Sequence, residues 1–111
     1  MALEWTIKSF ESLSVHELYD ILRLRSEIFV VEQNCVYLDL DGKDQKALHL
    51  FGTFEGKIVA HARLIKPGIS FVHASIGRVT VDPKHRDKKW GHELMRQAIA
   101  GVFEHFGEIE I

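Results

Sequence analysis

The sequence predicts a mixed α/β domain of the α+β type, and three observations carry that expectation. Two β-rich runs, Leu48–Phe54 and Ile58–Ile65, are separated only by Glu55-Gly56-Lys57, the pattern of an antiparallel hairpin. Apolar residues recur at helical intervals after Ser14 and again after Trp90. A further β-rich run, Ser75–Val81, leads through a short polar loop into the second of those helices, the form of a strand-to-helix crossover.

Each element has a local reason. Trp5-Thr6-Ile7-Lys8-Ser9-Phe10 mixes β-branched and aromatic residues with polar ones and reads as a first strand. Ser14 followed by Glu17 forms a capping box, so a helix is expected from about Val15 to Val30 with Leu18, Ile21, Leu22 and Phe29 among its spaced residues. Glu32 to Lys46 holds Asn34, Asp39, Asp41, Gly42 and Asp44 and reads as a long loop. Pro67-Gly68 closes the hairpin's second strand, and Asp82-Pro83 closes the next. From Trp90, the residues Leu94, Met95, Ala98, Ile99, Val102 and Phe103 share helical spacing, and Gly107 supplies a C-terminal cap. Glu108-Ile109-Glu110-Ile111 reads as the start of a fifth strand.

With 111 residues, 46% of them hydrophobic and 27% charged, the chain has the composition of one folded domain rather than a disordered segment. Sixteen acidic and 14 basic side chains leave a net charge of −2 with no basic field, which disfavours nucleic acid as a partner. No apolar run reaches the ~20 residues that a membrane helix needs, and the start of the chain lacks the pattern of a signal peptide. The single Cys35 rules out an internal disulfide, and a cytoplasmic location is expected. Seven histidines show no ligand spacing, so no metal is expected, and Asp39-x-Asp41-Gly42-x-Asp44 lacks the glutamate and glycine placement of a calcium loop. Arg25 and Arg78 have apolar neighbours that suggest partly buried ion pairs, with Asp39 or Asp41 as partners.

The stretch Arg78-Val79-Thr80-Val81-Asp82-Pro83-Lys84-His85-Arg86-Asp87-Lys88-Lys89-Trp90-Gly91-His92 concentrates the chemistry. A strand, a short loop and a helix start aim free backbone amides and the positive end of a helix dipole at one volume, which suits a phosphate. Arg86, Lys88 and Lys89 add positive charge, and Gly91 removes a Cβ where a ligand can approach.

This stretch resembles the acetyl-CoA signature of the GNAT N-acetyltransferases, in which arginine or glutamine is followed by x-x-glycine-x-glycine or alanine. Arg86 and Gly91 match its ends, Lys89 takes the central glycine position, and Asp87 stands where glycine is frequent. The run from Leu24 to Asp44, with Phe29-Val30-Val31-Glu32-Gln33-Asn34-Cys35-Val36-Tyr37 at its heart, is similar to the ElaA-like subfamily. So are His49 to Gly52 and Ile76 to Val79, and the likeness covers essentially the whole chain.

The resemblance implies one GNAT domain over residues 1–111, with a mixed, mostly antiparallel sheet flanked by helices and truncated after the start of the fifth strand. It implies an enzyme that moves an acetyl group from acetyl-CoA to a primary amine of a small molecule or peptide. Val79, Thr80 and Val81 would pair with the pantetheine arm, while Arg86, Asp87, Lys88, Lys89, Trp90, Gly91 and His92 would hold the pyrophosphate. Glu32, Asp41 and His49 are the candidate catalytic residues, with Asp39 and His61 beside them as further bases. A non-catalytic CoA-binding or protein-interaction module is the alternative. The incomplete sheet implies an open edge and exposed apolar surface, which would favour a homodimer.

Overall fold

The hairpin read from the sequence forms the middle of the sheet. The computed structural model describes residues 3–32, 39–69, 72–84 and 89–107, with Glu32 described by its backbone alone. Strands β1 (Glu4–Ser9), β2 (Leu48–Phe54), β3 (Lys57–Ile65) and β4 (Ser75–Val81) make a four-stranded sheet in the order β1-β2-β3-β4, with each neighbouring pair antiparallel. Glu55 and Gly56 turn β2 into β3 with φ of 53° and 80°, the paired positive values of a tight hairpin whose twist matches its strands. The expected fifth strand at 108–111 lies outside the described residues.

Two helices cover opposite faces. Leu50, Ala60, Ala62 and Leu64 point to one face and pack with Leu94, Ala98 and Val102 of α2 (Trp90–Phe106). Phe51 points to the other face and packs with Ile21 and Leu24 of α1 (Val15–Ser26). Neighbouring residues of one strand thus serve two cores, as the two-residue period of a strand requires. Gly101 lets α2 approach the sheet closely, since a Cβ there would stand 3.0 Å from both Ile7 Cδ1 and Leu64 Cδ1.

The capping box expected at Ser14 is present. Ser14 Oγ accepts from the Glu17 amide at 3.0 Å, and Glu17 Oε1 accepts from the Ser14 amide at 2.9 Å. Glu17 also pairs with Lys8 of β1 at 3.0 Å, and these hydrogen bonds together hold its carboxyl below the usual range. Asp20 Oδ2 accepts the Ile58 amide at 2.9 Å and ties α1 to the start of β3.

The helix departs from its expected end. It stays α-helical to Ser26 and then widens into a π-helical turn over Glu27–Glu32, where the Glu27 amide reaches the carbonyls of both Arg23 and Leu24. The wider turn keeps Ile28 buried in the core while the ring of Phe29 faces the Arg78 guanidinium, 6.0 Å away.

Candidate functional site

Two features meet at β4. The first is a break in its ladder with β3: His61 pairs with Thr80 and Arg63 with Gly77, so Ala62 faces both Arg78 and Val79. Arg78 takes the left-handed conformation, φ 51°, that a bulge of this kind normally reserves for glycine. The regular β3–β4 pairing is interrupted there.

The second is an open cleft of about 530 Å³ between β4 and the start of α2, lined by Val79, Val81, Lys89, Gly91 and His92. Each of these residues was singled out in the sequence. Lys89 precedes α2 with φ 62°, a left-handed value that explains why a glycine can stand at this point of the signature it resembles. A Cβ on Gly91 would meet only Val81 Cγ2, at 3.8 Å, so the glycine leaves open space against the strand. Thr80 and Trp90 sit behind the cleft. Thr80 is buried and donates to the His61 carbonyl at 3.3 Å, and Trp90 packs in the core with its ring centroid 5.2 Å from that of Phe54. Arg86, Asp87 and Lys88 lie outside the described residues.

On the α1 face, three arginines and three aspartates join helix, loop and sheet. Arg25 of α1 pairs with Asp39 at 3.0 Å and Asp44 at 2.7 Å, with its side chain fully buried. Arg63 of β3 pairs with Asp41 at 2.8 Å and Asp44 at 3.3 Å, and Arg78 of β4 pairs with Asp39 at 2.9 Å and Asp41 at 3.5 Å. The charges of these six groups sum to zero, which such burial requires. The pairing of Arg25 and Arg78 with Asp39 and Asp41 follows the sequence expectation. Asp44 and Arg63 complete the set.

Asp41 was a candidate catalytic carboxylate. Burial would raise its pKa, but bonds from Arg63 and the Lys43 amide outweigh that and lower it to about 2. It is an anion at neutral pH and serves to anchor the loop to the sheet. His49, the second candidate, is fully buried. Its Nε2 lies 2.9 Å from the Asp44 carbonyl and its Nδ1 lies 3.0 Å from Nε2 of His61. The rings are stacked, with centroids 5.3 Å apart. Burial lowers the pKa of both, most strongly at His61, where His49, Arg25 and Arg63 add repulsion. The side chain of Glu32 lies outside the described residues.

Sequence reading alone did not find that His49 and His61 form a pair or that Asp44 bridges two arginines. A signal was present in β3, where Ile58-Val59-Ala60-His61-Ala62-Arg63-Leu64-Ile65 is apolar except at alternating His61 and Arg63. Two polar residues two apart in a buried strand must share one face and find partners there.

Among the described residues no helix is long and apolar enough to cross a membrane. Residues 8–111 match the model of the acetyltransferase (GNAT) family. The chain is 49% identical over 98 residues to a UPF0039 protein of Schizosaccharomyces pombe, covering 87% of this chain and 64% of that protein. It is 38% identical over 106 residues to protein ElaA of Escherichia coli, covering 94% and 69% of the two chains. The crystal structure of that ElaA superposes with a TM-score of 0.89 at 37% identity, over 96% of this chain and 74% of its own. An acyl-CoA N-acyltransferase from Pseudomonas aeruginosa superposes with a TM-score of 0.87, also at 37% identity, over 93% and 72%. The chain therefore spans about two thirds of the length of these relatives.

Proposed function

Because the chain belongs to the GNAT acetyltransferase family, we propose that it takes part in moving an acetyl group from acetyl-CoA to a primary amine of a small molecule or peptide. The observation that carries this reading is the cleft between bulged β4 and the start of α2. Its residues fit the proposed donor. Val79 and Val81 lie on β4, the outer strand among the described residues, and would pair with the pantetheine amides in the manner of an added strand. The amides at the start of α2, the helix dipole and Lys89 favour an anionic pyrophosphate, and Gly91 leaves room for it. Arg86, Asp87, Lys88 and His92 belong to the same proposed cradle.

The acetyl thioester would lie toward the bulge, where backbone amides outside the ladder can stabilise the oxyanion. The acceptor amine must lose a proton before it attacks. Glu32 and His49 remain the proposed groups for that task, and Asp41, held anionic between Arg63 and Arg78, would orient a cationic amine. The cytoplasm is the compartment that this reading implies.

Calorimetric titration with acetyl-CoA, followed by a thiol-release assay across a panel of amines, tests the proposal. Saturable binding with turnover supports it, and no heat at millimolar acetyl-CoA refutes it. A second reading, a non-catalytic module, draws on Met95, Ile99 and Phe103, which form an exposed apolar stripe along α2 suited to a protein partner or a second copy. Binding of acetyl-CoA without thiol release, together with concentration-dependent dimerisation, would favour that reading.

A further inference from the structure

A separate pocket lies on the α1 side and shares no described lining residue with the cleft at β4. Leu18 and Leu22, one turn apart on α1, form one wall. Phe10, in the short 3-10 turn that follows β1, forms another, and its ring centroid stands 6.3 Å from that of His49. Leu40, Gly42 and Asp44, from the segment ahead of β2, close the third side. The space is about 190 Å³. A cavity of about 150 Å³ lined by Leu, Ile and Phe side chains holds benzene, so a single ring or a branched chain of similar size fits here.

Asp44 is the buried polar group of this lining, only 6% exposed. Most of its hydrogen-bonding capacity is already used. Its carbonyl lies 2.9 Å from His49 Nε2 and accepts the Ala47 amide at 3.3 Å. Arg25 Nη1, at 2.7 Å, and Arg63 Nη1, at 3.3 Å, both donate to Oδ1. No described residue donates to Oδ2. A carboxylate whose other oxygen is fixed by two guanidinium groups offers Oδ2 as an acceptor in a set position, and a buried acceptor calls for a donor. The same two guanidinium groups decide which donor suits it. A ligand ammonium would stand close to both and be repelled, whereas a hydroxyl or amide N–H would not.

We propose that this pocket binds a small neutral molecule: a single ring or compact branched hydrocarbon bearing one hydroxyl or amide N–H. The donor bonds to Asp44 Oδ2, and the hydrocarbon packs against Phe10, Leu18, Leu22 and Leu40. The site does not depend on acetyl transfer.

Methyl-detected NMR titration of the 111-residue chain tests this with three probes built on one ring. Phenol adds a neutral donor, toluene adds none, and benzylammonium adds a cation. Phenol should shift the methyl signals of Leu18, Leu22 and Leu40, with a dissociation constant on the order of 1 mM, the range open to a ligand of so few atoms. Loss of a hydrogen bond to a charged acceptor should make toluene about tenfold weaker. Benzylammonium should also bind more weakly than phenol. Leu18→Trp, whose larger side chain enters the pocket, should keep the fold and lose phenol binding. The proposal is overturned if phenol at tens of millimolar leaves these leucines unshifted, if toluene binds as tightly as phenol, or if benzylammonium binds more tightly. Unchanged phenol binding in a folded Leu18→Trp chain overturns it too. Should that variant not fold, the wild-type series alone decides. No acetyl-CoA is present in these titrations, so their outcome is independent of the outcome at the cleft.

Discussion

Replacing Gly91 first by alanine and then by phenylalanine separates what α2 needs to fold from what the cleft needs to bind. Gly91 is the second residue of α2, and a Cβ there would find only Val81 Cγ2, at 3.8 Å. That is ordinary contact, so alanine adds no strain. Alanine is better than glycine by about 1 kcal/mol inside a helix, and about half of that is expected in the first turn. For a domain of this size, ~0.5 kcal/mol raises Tm by about 2–4 °C. Phenylalanine should fold as well, because its ring has the open cleft of about 530 Å³ to enter. There it would occupy the space proposed for the pyrophosphate. A tenfold loss of affinity is ~1.4 kcal/mol, less than one or two lost charge-assisted hydrogen bonds, so Gly91→Phe should weaken acetyl-CoA binding at least about tenfold. Differential scanning calorimetry and isothermal titration of both variants read the two quantities apart. Unchanged affinity in Gly91→Phe would remove the cleft from the donor site, and a Tm several degrees lower in Gly91→Ala would contradict the open space next to Val81.

Other perturbations report on the remaining parts of the site. Asp44→Ala takes a partner from both Arg25 and Arg63 in a buried setting, which should cost about 3 kcal/mol. With a slope of about 1.5 kcal/mol/M, the urea midpoint should fall by about 2 M; a shift under about 0.5 M would mean that the network contributes little. Lys89→Gly relieves a left-handed lysine, φ 62°, and should stabilise by roughly 1 kcal/mol. The same change removes a cation from the cleft, so acetyl-CoA affinity should fall while Tm rises, and a parallel change in both would refute this division. Stability should decline with acid in two stages. His49 and His61 have folded pKa values below 6.5, so the unfolded chain binds protons first and stability falls as pH drops under 6.5. Asp41, lowered from 3.8 to about 2, contributes stability above pH 3.8 that is lost as pH falls toward 2. Urea midpoints across pH should show the second stage missing in Asp41→Asn and the first reduced in His49→Gln.

Much of this architecture was written in local sequence. Ser14 and Glu17 specify a helix start through contacts three residues apart, and Glu55-Gly56 specifies a hairpin through two backbone conformations. Such interactions depend on neighbours in the chain and can be read from it. The cleft was legible for a similar reason, since Val79, Val81, Lys89, Gly91 and His92 are close in sequence and their strand-loop-helix order brings them together. The histidine pair and the charge network depend instead on register. His49 meets His61 only because β2 and β3 pair with Arg63 opposite His49 and Phe51 opposite His61. Asp44 meets Arg63 across 19 residues for the same reason. A shift of one residue would send these side chains to the opposite face, and composition alone does not contain that information. The π-helical turn after Ser26 was likewise hidden, because Ile28, Phe29 and Val30 continue an apparently helical pattern and only the docking of Phe29 over Arg78 distinguishes the wider turn.

Arg78 links the two halves of the proposed site. Its φ of 51° is a conformation that costs a non-glycine residue about 1 kcal/mol or more, although a glycine, Gly77, is adjacent. An arginine can hold this position because its side chain is engaged on several sides. Nε lies 2.9 Å from Asp39 Oδ1, Nη2 donates to the Asp39 carbonyl at 3.0 Å, and the guanidinium faces the Phe29 ring. The residue that bends β4 is therefore the one that ties the strand to the segment carrying Asp39 and Asp41. In the acyl-transfer reading that segment borders the acceptor, while the bent strand carries the donor. Arg63 ties the same segment to β3, and Arg78 is the contact that reaches β4 itself. Glycine at position 78 would satisfy the backbone and lose these contacts, so Arg78→Gly should relieve the backbone strain yet loosen the hold of β4 on the Asp39–Asp41 segment.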